Sequence, residues 1–274
     1  CNAFIKINNE KNFDIIEVHN RPLVFDYLKD KLSSKFILYF HNDPLTMKGS
    51  ISIKERNNLL KNCDKIIFIS KWVKSRFFKG LNKKLINKTN IVYHSIDKQK
   101  KLLKKKKHIT FVGKLNESKG YDIYREAIIR ILNKHKDWKA FSIGDESRKR
   151  PIIKHNLHKE LGFLKHNKVL SFLETTEIAV VPSRWEEPFG RTALESGSRG
   201  CATIISNRGG LPETTLHSLK LEKLDGNTLY KKIKFLIKNP KKRFQIQKNS
   251  FKNVLHTVQE NSKLIDSIRE SIFF

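Results

Sequence analysis

Pro182-Ser183-Arg184-Trp185-Glu186-Glu187-Pro188-Phe189-Gly190-Arg191-Thr192-Ala193-Leu194-Glu195 is the stretch on which the reading of this chain turns. It follows Ile178–Val181, a short β-branched run of the kind that forms a strand buried on both faces. The rigid Glu-Pro-Phe-Gly turn then opens a helix, which leaves backbone amides near Gly190 and Arg191 to face an anion. Glu187 sits in the turn and Glu195 about one and a half turns into the helix. The first carboxylate can accept hydrogen bonds from sugar hydroxyls. The second can accept them from a ribose, as acids do in dinucleotide sites. Beyond it come a strand over Cys201–Ile205 and the glycine-rich loop Asn207-Arg208-Gly209-Gly210-Leu211-Pro212-Glu213.

Outward from this element the chain alternates strands and helices. Asp14–Val18, Phe36–Phe40, Lys65–Ile69, Ile91–Tyr93, His108–Val112, Ala140–Ile143, Ile178–Val181 and Thr203–Ile205 are short, apolar and bounded by turn residues, and read as parallel strands. Tyr121–Lys134 carries Ile123, Ala127, Ile128, Ile131 and Leu132 on one helical face. Such alternation predicts a doubly wound α/β architecture. Seven of the ten residues from Lys98 to Lys107 are lysine, which reads as a solvated linker between two domains. Past Gly226 the pattern is helical to the end, broken at Pro240.

Composition narrows the class of protein. Of 274 residues 38% are hydrophobic, enough for real cores and against overall disorder. No apolar run reaches the length of a membrane span. Cys1, Cys63 and Cys201 are few, odd in number and far apart, so no metal-ligand spacing or disulfide framework is expected, and a reducing cytoplasm fits best. A start at Cys1 without a signal segment is read as truncation. The 56 basic residues against 27 acidic ones give a net charge of +29. That field favours polyanions, such as an anionic membrane surface, while abundant lysine, isoleucine and asparagine are also what an AT-rich coding genome produces. A basic nucleic-acid-binding protein would explain the charge, yet no helix-turn-helix, zinc or RNP motif is present, and no specific nucleic acid is expected.

The strand His108–Val112 runs into Gly113-Lys114-Leu115-Asn116-Glu117-Ser118-Lys119-Gly120 and then a helix, which sets two lysines at the carboxyl edge of a sheet where ligands bind in open α/β folds. A diphosphate there would meet both cations and a helix N-terminus. On this segment alone an ordinary βα loop with solvated lysines is the simpler reading.

Taken in order, Phe111-Val112-Gly113-Lys114-Leu115 with Lys119-Gly120, Ile143-Gly144-Asp145, Pro182-Ser183, Glu187-Pro188-Phe189-Gly190 with Leu194-Glu195, and Gly209-Gly210-Leu211-Pro212-Glu213 resemble the retaining glycosyltransferases of the GT-B fold, family 4. The resemblance covers roughly residues 108 to 256, and Gly162-Phe163-Leu164 resembles the segment that contacts the nucleotide base. Three positions depart from the pattern: Lys114 replaces an arginine and loses its bidentate fork, Ser118 replaces a glutamate, and Ser196 an alanine. The resemblance implies two Rossmann-like domains facing a cleft. It implies a nucleotide diphosphate sugar as donor, a glycan or lipid-linked acceptor, and no metal or other cofactor. It assigns Gly113, Lys114, Lys119, Gly144, Phe163, Leu164, Glu187, Phe189, Gly190, Arg191 and Glu195 to the donor. Lys114, Lys119 and Glu187, with His41 at the end of Phe36–Phe40, would serve the chemistry.

The same resemblance divides the chain. Residues 1–97 would be an acceptor-side Rossmann-like domain lacking its start, because only about four strands precede the lysine run and the family's first glycine-rich loop is absent. Residues 98–255 would be the donor domain, with 256–274 a helix returning to the first. The expected role is retaining hexosyl transfer in cell-envelope polysaccharide or lipopolysaccharide synthesis, at the cytoplasmic side with peripheral contact to anionic membrane. A catalytically silent relative that only binds a nucleotide sugar is the alternative within the same fold.

Overall fold

The computed structural model describes residues 1–148, 150–254 and 257–274. These fall into two compact units, residues 1–95 with 258–274, and residues 96–257. The boundary expected between 255 and 256 lies outside the described residues.

The first unit holds four parallel strands, β1 (Ile15–His19), β2 (Lys35–Phe40), β3 (Lys65–Phe68) and β4 (Thr89–Ile91), paired in chain order. Its helices are α1 (Asn2–Lys11), α2 (Pro22–Lys29), α3 (Ile53–Asn62) and α4 (Lys71–Phe77). Their starts follow from local chemistry. Pro22 opens α2 where no backbone donor is needed, and a reciprocal Ser52–Glu55 capping box starts α3. Within β2 every residue after Lys35 is buried, as a central parallel strand requires.

The second unit is built on β5 (Lys106–Val112), β6 (Lys139–Ile143), β7 (His158–Glu160), β8 (Thr176–Val181), β9 (Ala202–Ser206) and β10 (Leu219–Leu221). All pair in parallel, in the order β10-β9-β8-β5-β6-β7. Around the sheet lie α5 (Tyr121–Lys134), α6 (His166–Thr175), α7 (Arg191–Ser198), α8 (Gly226–Lys238) and α9 (Pro240–Lys252). The core joins Ile109, Phe111, Ile178 and Ile204 of the sheet to Ile128, Ile131, Leu229 and Ile233 of α5 and α8. A last helix, α10 (Val258–Glu270), belongs to the first unit, where Ile265 and Ile268 pack with Ile37, Tyr39, Ile67 and Val92. Arg269 of that helix bonds Glu17 at 2.9 Å.

Three local expectations are corrected. The strand near Ile91–Tyr93 is Thr89–Ile91, whose register with β3 ends at the pair Phe68 and Ile91. β7 and β10 have no counterpart in the sequence reading: they are three residues long and polar or mixed. The lysine run is not wholly a linker, since the exposed Lys106 and Lys107 begin β5, and Lys105 is half-buried. The Lys105 ammonium donates to the carbonyls of Leu173, Glu174 and Arg199, at the ends of α6 and α7. Burial lowers its pKa, and Cys201, Glu174 and Glu177 oppose that shift.

Candidate active site

In the six-stranded sheet the strand order reverses between β5 and β8. The loops that leave the carboxyl ends of such strands diverge to opposite faces and open a crevice there. Those loops are tied to one another. The amides of Arg184 and Trp185 both donate to the Ser118 carbonyl at 3.0 Å, and Arg184 reaches Asp122 at 2.5 Å. Leu115 donates to the Asp145 carbonyl at 3.2 Å, and the Asn116 amide to Glu146 at 2.7 Å. Gly144 has φ +134°, and a Cβ there would overlap the Gly113 carbonyl oxygen. Only glycine lets these two turns touch backbone to backbone.

Two cavities occupy the crevice. The larger, about 390 Å³, is lined by Gly113, Lys114, Gly144, Asp145, Phe163, Leu164, His166 and Glu195. Phe163 is 75% exposed, so an aromatic face stands free at its rim. Glu195 is only 7% exposed, and its Oε1 takes both neighbouring contacts: His166 Nε2 at 3.0 Å and Arg191 Nη2 at 3.3 Å. The smaller cavity, about 70 Å³, is lined by Gly113, Lys119, Glu187, Gly190, Arg191 and Thr192. Here Lys119 Nζ lies 2.7 Å from Glu187 Oε1 and 4.4 Å from the Trp185 ring centre. Among the described residues no side chain caps α7, whose first turn borders this cavity.

The loop 207–213 acts as a strap on the Glu187 turn. Gly210 donates to the Glu187 carbonyl at 2.6 Å, while Glu186 accepts from the Gly209 amide at 2.5 Å and from Arg208 at 2.9 Å. With φ +57° and the Glu187 carbonyl against its α-carbon, Gly209 has no room for a side chain.

The crevice thus gathers ten of the residues singled out from sequence. Phe189 is not among the cavity-lining residues: its ring is buried in the interior. His41 belongs to the first unit and lines a cavity of about 270 Å³ there. Its Nε2 meets His19 Nδ1 at 2.9 Å, and the rings of Tyr39, His19, His41 and His94 stack almost in parallel. Burial, reinforced by His19, lowers the His41 pKa. Sequence reasoning missed His166, and it quoted Asp145 and Trp185 without assigning either a role. His166 adjoins the Gly-Phe-Leu segment and Trp185 lies inside the decisive stretch, but a contact across 29 or 66 residues leaves no local signal.

Two units of parallel α/β structure, with a crevice at the strand-order reversal of the second, define the class of the fold, and the chain belongs to the glycosyl transferases group 1, which its residues 94–253 match. It is 33% identical over 260 residues to an uncharacterized glycosyltransferase of Methanocaldococcus jannaschii, covering 89% of this chain and 71% of that one. Spore coat protein SA of Bacillus subtilis is 26% identical, with 74% of this chain and 62% of that protein covered. An uncharacterized 42.6 kDa protein in the cps region of Klebsiella pneumoniae is 28% identical over 64% of this chain and 48% of its own. The chain therefore spans less than two thirds of the latter two. Among solved structures, a glycosyltransferase from Rickettsia africae superposes with TM-score 0.81 at 18% identity, covering 99% of this chain and 80% of that one. Anabaena HepE in complex with UDP gives TM-score 0.79 at 15% identity, with 98% and 81% covered. These likenesses establish the GT-B fold.

Proposed function

We propose that the crevice of the second unit binds a nucleotide diphosphate sugar, and that the chain transfers its sugar with retention to a glycan or lipid-linked acceptor in cell-envelope polysaccharide synthesis. One observation carries the reading: Glu187 and Glu195, both buried, open onto two adjoining cavities that share Gly113, and each has a cation beside it. In this reading the larger cavity takes the nucleoside. Phe163 and Leu164 cover the base, while Glu195, fixed through Oε1, offers Oε2 to the ribose hydroxyls.

The diphosphate then lies toward Gly113, Gly190 and Arg191, with Lys114 and Lys119 as counter-charges. Lys119 has three N–H donors, and Glu187 engages one of them. Two remain for phosphate oxygens. As the glycosidic bond breaks, negative charge accumulates on the diphosphate, and cations already in place stabilise it without reorganising. Glu187 would hold the sugar. Lysine and arginine charge takes the part a divalent ion could play, so turnover should survive a chelator. HepE in complex with UDP and in complex with UDP-glucose supports the donor class by likeness of fold, and the relative in the cps region supports the polysaccharide context. Peripheral contact with anionic membrane belongs to the same reading.

The test is a thermal-shift and calorimetric screen against UDP-, GDP- and ADP-sugars, followed by transfer assays. Binding of one donor that Glu195→Gln weakens supports the assignment. No binding to any donor refutes it, and binding without hydrolysis or transfer in any acceptor mixture would leave a silent relative.

A further inference from the structure

From Gly226 to Gln259 the sequence contains no aspartate or glutamate, although these make up 27 of the 274 residues. Most of that stretch is the α8–α9 pair. Between Lys231 and Lys252 it carries eight lysines and one arginine. Arg243 is spent internally, on Glu177 and on the carbonyls of Leu236 and Ile237 that end α8. Lys232 pairs with Glu222.

Four of the seven remaining lysines flank two exposed aromatic rings. The core face of α8 is Leu229, Ile233 and Leu236, and that of α9 is centred on Ile246 and Ser250. Phe235 and Phe244 project away from those faces, 44% and 56% exposed. Lys231 and Lys238 stand four residues before and three after Phe235. Lys241 and Lys248 stand three before and four after Phe244. On a helix these spacings place both lysines beside the ring. All four are exposed, and none has an ion-pair partner among the described residues.

We propose that the α8–α9 pair is a docking surface for an anionic lipid bilayer, with Phe235 and Phe244 entering the headgroup boundary and the flanking lysines meeting lipid phosphates. This locates the membrane contact of the proposed function and does not depend on the donor assignment. Isolated charge would give only long-range attraction. An aromatic ring between two lysines adds apolar burial at the same point, the combination an interfacial helix uses. No helix among the described residues is long and apolar enough to cross a membrane, so the contact is peripheral.

The experiment compares two variants that remove equal charge. One is Lys231→Gln, Lys238→Gln, Lys241→Gln and Lys248→Gln together. The other is the same change at the exposed Lys98, Lys100, Lys101 and Lys104. Binding is measured by flotation with vesicles of phosphatidylcholine alone or with about a third phosphatidylglycerol. The parent should bind only the anionic vesicles and release them as salt rises. The hairpin variant should lose roughly ten-fold or more in partitioning, against less than about two-fold for the linker variant. Phe235→Trp should be quenched by brominated lipid beyond the parent's signal. Both variants should keep the parent's thermal midpoint and nucleotide affinity, so failure here leaves the donor reading untouched. Equal losses in the two variants, an unchanged hairpin variant, or hairpin lysines needed for RNA or DNA and not for vesicles would each overturn the proposal.

Discussion

Glu195→Gln is the sharpest perturbation of the proposed donor site, because it keeps the side-chain shape and removes only charge. In the unliganded fold it should matter little. Arg191, the cation it would release, is itself 60% exposed in its side chain and can be hydrated, and exposed ion pairs contribute about 0–1 kcal/mol. His166 can still donate to the amide oxygen. Bound nucleotide changes the comparison. Ribose hydroxyls would donate to a carboxylate screened from water, and a hydrogen bond to a charged acceptor contributes about 1.5–3 kcal/mol. The dissociation constant of the preferred nucleoside diphosphate should therefore rise roughly 10- to 150-fold, while the melting midpoint moves by less than about 4 °C. Calorimetric titration of UDP, GDP and ADP into parent and variant measures the first quantity, and scanning calorimetry the second. A variant of unchanged fold that binds within about three-fold of the parent refutes the ribose role of Glu195.

Other outcomes follow from the same geometry. Glu187→Gln should leave nucleoside diphosphate affinity within about two-fold yet lower turnover at least ten-fold, because its proposed contact is with the sugar; equal loss of both would move Glu187 to the nucleotide. Gly144→Ala should destabilise the protein by about 2 kcal/mol or more, read from denaturant midpoints, since its Cβ would overlap the Gly113 carbonyl and its φ is +134°. Burial lowers the pKa of His41, His108 and His158 below 6.5, so the unfolded chain binds more protons than the folded one as pH falls through that value. Stability should be complete above about pH 7 and decline toward pH 5, by at most about 1.4 kcal/mol per pH unit per histidine. A flat denaturant midpoint between pH 7.5 and 5.5 would contradict this. Lys105→Met should cost about 1–3 kcal/mol in the same assay, by stripping a donor from three carbonyls at the ends of α6 and α7.

Sequence alone carried the parts whose signal is local. Buried parallel strands announce themselves as short β-branched or aromatic runs, so β2, β5, β8 and β9 are legible, and α5 is legible over Tyr121–Lys134 because its apolar stripe is continuous. The order of glycine, lysine and glutamate motifs likewise located the crevice loops, since each sits at a strand end. What stayed hidden depends on partners distant in the chain. β7 and β10 pair at the edges of the sheet, where one side needs no apolar cover, so three residues of mixed polarity suffice. Lys105 looks like any lysine of its run, and only the convergence of two helix ends gives its ammonium three acceptors. The two glutamates stand out by their spacing, but that Glu187 is held by Lys119 and Glu195 by His166 is decided by packing. Local propensity and burial pattern are written along the chain one element at a time. Electrostatic pairing depends on which loops the sheet brings side by side, and that is known only once the strand order is formed.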